Sequence, residues 1–137
     1  MKILGLNRVE LLLPDRDLDA AVARFNGVFG FRLSRPHAIE ESRSRSSIDF
    51  AAGLELVAPV DPTSPIHAAL AARGHGALLT VVWEVDDIDS ARRWAKEKGL
   101  GIRYEYEGTH DGAQIRQLCL EESEFFGYTI TLMEKRG

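Results

Sequence analysis

A single cysteine, Cys119, excludes an intramolecular disulfide and any Cys-rich zinc site. No apolar run approaches the roughly 18 residues that a bilayer-crossing helix needs, so no membrane partner is expected. The first residues, Met1–Asn7, lack the apolar core and small-residue cleavage site of a secretory leader. Neither sign of charge dominates, because 17 Lys and Arg stand against 21 Asp and Glu for a formal net charge of −4. A mildly acidic chain is a poor binder of nucleic acid, and none is expected as a partner. There is no glycine-rich phosphate loop and no Gly-x-Ser-x-Gly elbow. These absences point to a cytoplasmic protein. What is present, 137 residues at 45% hydrophobic and 28% charged, suits one globular domain or two small modules sharing a core.

The pattern along the chain comes in two similar halves. Residues 8–13 alternate as a strand, and apolar residues from Leu18 to Phe29 recur at helical spacing up to Gly30, where a left-handed cap is expected. Three short strands follow, over 31–34, 47–51 and 54–57, with 35–45 as a polar connection. Pro62–Pro65 reads as a linker and 66–73 as a short bridging helix. In the second half, 79–85 is a strand, 88–98 a helix ending at Gly99, and 102–106, 114–120 and 128–133 are strands. Gly108–Gly112 is the turn between the first two of these.

The halves also match in wording. Asp17-Leu18-Asp19-Ala20-Ala21 parallels Asp87-Ile88-Asp89-Ser90-Ala91, and Gly30-Phe31 parallels Gly99-Leu100. The predicted class is therefore α+β: tandem βαβββ modules, about 5–60 and about 76–135, within one domain over 1–137. A single such unit is too small to bury its sheet face. Two can form one curved eight-stranded mixed sheet, with helices on the outer face and a ligand cleft on the inner one.

A repeat of this size, with Arg8–Leu13 leading to Asp17-Leu18-Asp19 and Phe29-Gly30-Phe31, and with Trp83-Glu84-Val85-Asp86-Asp87-Ile88-Asp89 opening the second helix, is similar to the vicinal oxygen chelate superfamily. This is also called the glyoxalase/bleomycin-resistance/dioxygenase superfamily. The resemblance implies a cleft in which metal-dependent members hold a divalent ion with His, Gln and Glu from four strand positions. Here those positions fall on Arg8, Glu55, Thr80 and Thr131. Only Glu55 keeps a metal-binding residue type. Arg offers no lone pair, Thr is a weak neutral ligand, and one carboxylate does not hold a transition metal. No metal and no cofactor are therefore expected, and a guanidinium would fill the cation's charge role. The resemblance also allows a homodimer.

Two functions compete. One is a metal-independent small-molecule-binding protein with Arg8, Glu10, Glu55, Thr80 and Thr131 around its ligand. The other is an enzyme (a lyase, isomerase or dioxygenase) on a small oxygenated substrate, with Glu55, Arg8 and Glu10 catalytic: Arg8 stabilises an oxyanion and a Glu moves the proton. Arg8, Glu10 and Glu55 could equally be a structural salt-bridge network. The four histidines, His37, His67, His75 and His110, show no ligand spacing; His37 and His110 read as loop residues and His75 as part of the linker entering the second half. Trp83 and Trp94 read as core, and Cys119 as a small buried residue. Ser42–Ser46 reads as a solvated loop or strand edge. Phe125 and Phe126 suit a lid, a dimer contact or plain packing.

Overall fold

The computed structural model describes the backbone of residues 1–137 and every side chain except that of Glu124. Two compact units emerge: Arg8–Leu79, and Thr80–Gly137 together with Met1–Asn7. The expected α+β class, eight strands in mixed pairing and three helices, is found.

In the Arg8–Leu79 unit, β1 (Ile3–Leu12, here from Arg8) leads into α1 (Asp15–Phe29), then β2 (His37–Ile39), β3 (Ser44–Asp49) and β4 (Leu54–Pro59), with α2 (Pro65–Arg73) last. β1 pairs parallel with β4, β4 antiparallel with β3, and β3 antiparallel with β2. The other unit repeats the plan with β5 (Leu78–Val85), α3 (Ile88–Glu97), β6 (Ile102–His110), β7 (Ala113–Leu120) and β8 (Thr129–Arg136). β5 pairs parallel with β8, β8 antiparallel with β7, and β7 antiparallel with β6. The duplication read from the sequence is thus a duplication of pairing as well.

α1 and α3 each cover one sheet face. Leu18 and Val22 of α1 pack on Leu54, Leu56 and Ala58 of β4. Ile88, Ala91 and Ala95 of α3 pack on Val85, Leu118, Leu120 and Leu132, with Trp83 and Trp94 against them as expected. Each fully buried Leu contributes roughly 1.5–3 kcal/mol. The helix ends follow from local chemistry. Gly30 closes α1 at φ 70, a left-handed cap that only glycine adopts without strain. The Asp87 side chain accepts from the Asp89 amide at 3.0 Å at the start of α3. The buried Glu134 carboxylate of β8 accepts from the Ile88 amide at 2.8 Å. Glu134→Ala should cost about 1–3 kcal/mol in urea unfolding because it leaves that amide unpaired, and Glu134→Gln should cost less because its amide oxygen still accepts.

One expected element is missing. Residues 31–34 form no strand, and β2 lies instead at His37–Ile39. Side chains have taken the backbone groups a ladder would use. Asn26 accepts from the Leu33 amide at 2.9 Å and donates to the Leu33 carbonyl at 3.1 Å, and Asp49 accepts from the Arg32 amide at 2.7 Å. Phe31 is held instead in an aromatic group with Phe25 and Phe29. The expected turn at 108–112 is also shorter. β6 runs on to His110, and Asp111 and Gly112, at φ 49 and 78, make the hairpin. No helix among the described residues is long and apolar enough to cross a membrane.

Candidate functional site

The period of two in β1 sends Val9 and Leu11 toward the α1 core and Arg8, Glu10 and Leu12 to the opposite face. In the parallel pairing of β1 with β4, Glu10 stands beside Glu55. Two carboxylates are therefore side by side on adjacent strands, with a guanidinium one pleat away. The side chains use that placement. Arg8 Nε donates to Glu55 Oε1 at 2.8 Å, and Arg8 Nη2 donates to Glu10 Oε2 at 3.1 Å. All three residues are buried, with relative exposures of 4%, 7% and 6% for Arg8, Glu10 and Glu55. The Phe50 ring centroid lies 5.8 Å from Arg8 Cζ, within cation–π range.

Burial sets the protonation of this group. Desolvation, helped by the neighbouring charge of Glu55, pushes the Glu10 carboxyl from 4.5 up to about 8, against the pull of Arg8. Near neutral pH, Glu10 keeps its proton while Arg8 stays charged. The face thus offers a proton donor, a carboxylate and a fixed cation within one hydrogen-bonded group.

The rest of this face belongs to β3 and β2. Ile48 stands beside Glu55, Ser46 beside Val57, and His37 beside Ser46. Ser44, Ser46 and Ile48 are buried, and His37 is half-buried. The reading of Ser42–Ser46 as solvated and of His37 as a loop residue is therefore corrected. The signal was in the alternation Ser42-Arg43-Ser44-Arg45-Ser46: serines take one face, and Arg45 takes the other, reaching Asp15 at 3.2 Å and Asp19 at 2.7 Å on α1.

In the Thr80–Gly137 unit, Thr80 and Thr131 also meet. Their hydroxyls are 2.9 Å apart, and Thr80 donates onward to the Thr129 carbonyl at 2.9 Å. Cys119 Sγ lies 3.1 Å from the Thr131 hydroxyl and is half-buried rather than buried. This is a neutral cluster, in contrast to the ion group of Arg8. His110 closes β6 with its Nε2 3.0 Å from the Tyr106 hydroxyl. Phe125 packs on the α3 core, and Phe126 is fully exposed. His67 and His75 fall beside an open cleft of about 460 Å³ next to α2.

Residues 9–119 match the Glyoxalase/Bleomycin resistance protein/Dioxygenase superfamily. The chain belongs to that superfamily. No curated protein matches it. Among solved structures, a methylmalonyl-CoA epimerase from Mycobacterium tuberculosis is 24% identical over 96% of this chain and 88% of its own, with a TM-score of 0.79. A variant Streptomyces coelicolor methylmalonyl-CoA epimerase in complex with 2-nitronate-propionyl-CoA is 20% identical over 97% and 98%, with a TM-score of 0.78. A Bacillus halodurans protein is 18% identical over 96% and 94%, with a TM-score of 0.78. At these identities the likeness to the solved structures is one of fold.

The glyoxalase/bleomycin-resistance/dioxygenase fold implies a divalent metal in some members, and the residues here do not fit one. Among the described residues no group of three His, Cys, Asp or Glu side chains is placed to hold a metal ion. Glu55, the one donor type kept, is engaged by the Arg8 guanidinium. A fixed positive charge at hydrogen-bond distance opposes a second cation on the same carboxylate.

Proposed function

We propose that this chain is a metal-independent small-molecule-binding member of its superfamily, with Arg8, Glu10 and Glu55 at the ligand. The observation that carries this reading is the Arg8 guanidinium hydrogen-bonded to both Glu10 and Glu55. It supplies the positive charge that metal-dependent relatives take from an ion. The ligand is a small aromatic compound, to which Phe50, beside the Arg8 guanidinium, offers a ring face. The chain acts in the cytoplasm as a homodimer.

The test is calorimetric titration of the purified protein with a panel of such compounds, beside elemental analysis. Saturable binding that Glu55→Gln weakens by roughly tenfold or more, the cost of one charged hydrogen bond, is expected, with metal far below one ion per chain. A stoichiometric, tightly held divalent ion would overturn the reading.

A second reading is favoured by one observation, the proton that Glu10 keeps near neutral pH. A neutral carboxyl beside a carboxylate is the pairing that general acid–base chemistry uses. In that reading the chain is an isomerase or lyase on a small oxygenated substrate. Glu55 removes a proton, Arg8 steadies the oxyanion, and Glu10 returns a proton. Turnover of a substrate that survives Glu55→Gln unchanged would remove Glu55 from that role.

A further inference from the structure

The donor set of this chain and the ion that its fold implies disagree, and the disagreement has a specific form. Glu10 and Glu55 stand beside each other on parallel strands, buried, with one cation in contact with both. That cation is a side chain. We infer that Glu10 and Glu55 form a cation seat which Arg8 fills from within the chain, and that removing the guanidinium opens the seat to a single divalent ion. The inference rests on the metal-independent reading of the same site and deepens it by naming what Arg8 excludes.

The chemistry follows from geometry. Two adjacent buried carboxyl groups cannot both ionise without a cation beside them; near neutral pH Glu10 holds a proton, and the Glu55 charge is met by the Arg8 guanidinium. Arg8 meets this need with two separate arms, Nε to Glu55 and Nη2 to Glu10. Its planar fork suits two carboxylates at once, as a point charge does not. Shortening the side chain leaves a space lined by carboxylate oxygens. Hard oxygen donors favour Mn²⁺ or Mg²⁺, with water completing the shell. A histidine at position 8 would add an imidazole on the same strand face, giving one nitrogen and two carboxylate donors, a set suited to Mn²⁺.

The experiment compares the wild-type protein, Arg8→His, and Arg8→His with Glu55→Gln, each by thermal melting and equilibrium dialysis with MnCl₂. Wild type should bind no Mn²⁺ and show no shift. Arg8→His should bind one ion per chain and gain about 10 °C in melting temperature at a hundredfold excess over Kd. The double variant should lose both effects. If Arg8→His does not fold in metal-free buffer, it is refolded from urea with and without Mn²⁺. Folding only with the ion supports the seat, and failure in both conditions overturns it. A folded Arg8→His that binds no ion also overturns it. Small-molecule binding by the wild-type protein is measured separately, so an empty seat in Arg8→His leaves the proposed function standing. A stoichiometric ion in wild type, lost in Glu55→Gln, defeats both.

Discussion

Arg8→Met is expected to lose about 3–5 kcal/mol of folding free energy at neutral pH, because the buried Glu55 carboxylate loses its cation while the Glu10 carboxyl beside it loses its hydrogen-bond partner. No other single substitution in the Arg8–Leu79 unit removes the partner of two buried acids at once, since the guanidinium reaches both Glu10 and Glu55. Replacing the whole group is a different matter. The Arg8→Met, Glu10→Leu, Glu55→Leu triple variant should recover most of the loss and can exceed wild type, since three apolar side chains need no compensation. Urea unfolding of the single and triple variants reads both numbers. A single variant that loses less than about 1 kcal/mol would mean that the group is solvated in the working protein. A triple variant that recovers stability but binds no ligand would show that these charges serve the site and not the fold.

The second large effect is on pH. The folded chain holds the Glu10 proton up to about 8, whereas the ordinary value is 4.5. The folded state therefore binds more protons than the unfolded state between those values, and stability must fall as pH rises through that window. The contribution is complete below 4.5 and gone above about 8. The slope has an upper bound of about 1.4 kcal/mol per pH unit. The groups facing Glu10 in this unit are Glu55 on β4 and Arg8 on its own strand. Glu10→Gln should flatten the profile, matching wild type at about pH 5 and exceeding it at about pH 8.5. Equal slopes in the two proteins would refute the raised affinity. The acid limb is separate and opposite in sign. Hydrogen bonds from Arg116 and then Arg92 hold Asp89 down to about 2, so its contribution is lost only as pH falls toward that value.

Much of this was legible in the sequence because two kinds of period survive without tertiary context. The apolar steps from Leu18 to Phe29 and from Ile88 onward specify α1 and α3, and the repeated Asp-Leu-Asp and Asp-Ile-Asp wording exposes the duplication. Arg8 and Glu10 follow from strand parity alone. The place of Glu10 beside Glu55 does not, because it depends on the β1–β4 register, which joins residues 45 positions apart. The start of β1 at Ile3 was also hidden. Ile3-Leu4-Gly5-Leu6 has no alternation, and Gly5 sits at φ 151. The strand expected at 31–34 failed because Asn26 and Asp49 bind the backbone there, an effect that propensity does not register.

The alternating Ser and Arg residues of β3 also police how that strand can align. A slip of one residue against β4 would turn Arg45 into the interior and set serines opposite Asp15 and Asp19, leaving two acids without their counter-charge. Misalignment thus carries an electrostatic penalty on both sides of the strand, and the correct pairing is proofread by charge rather than by shape alone.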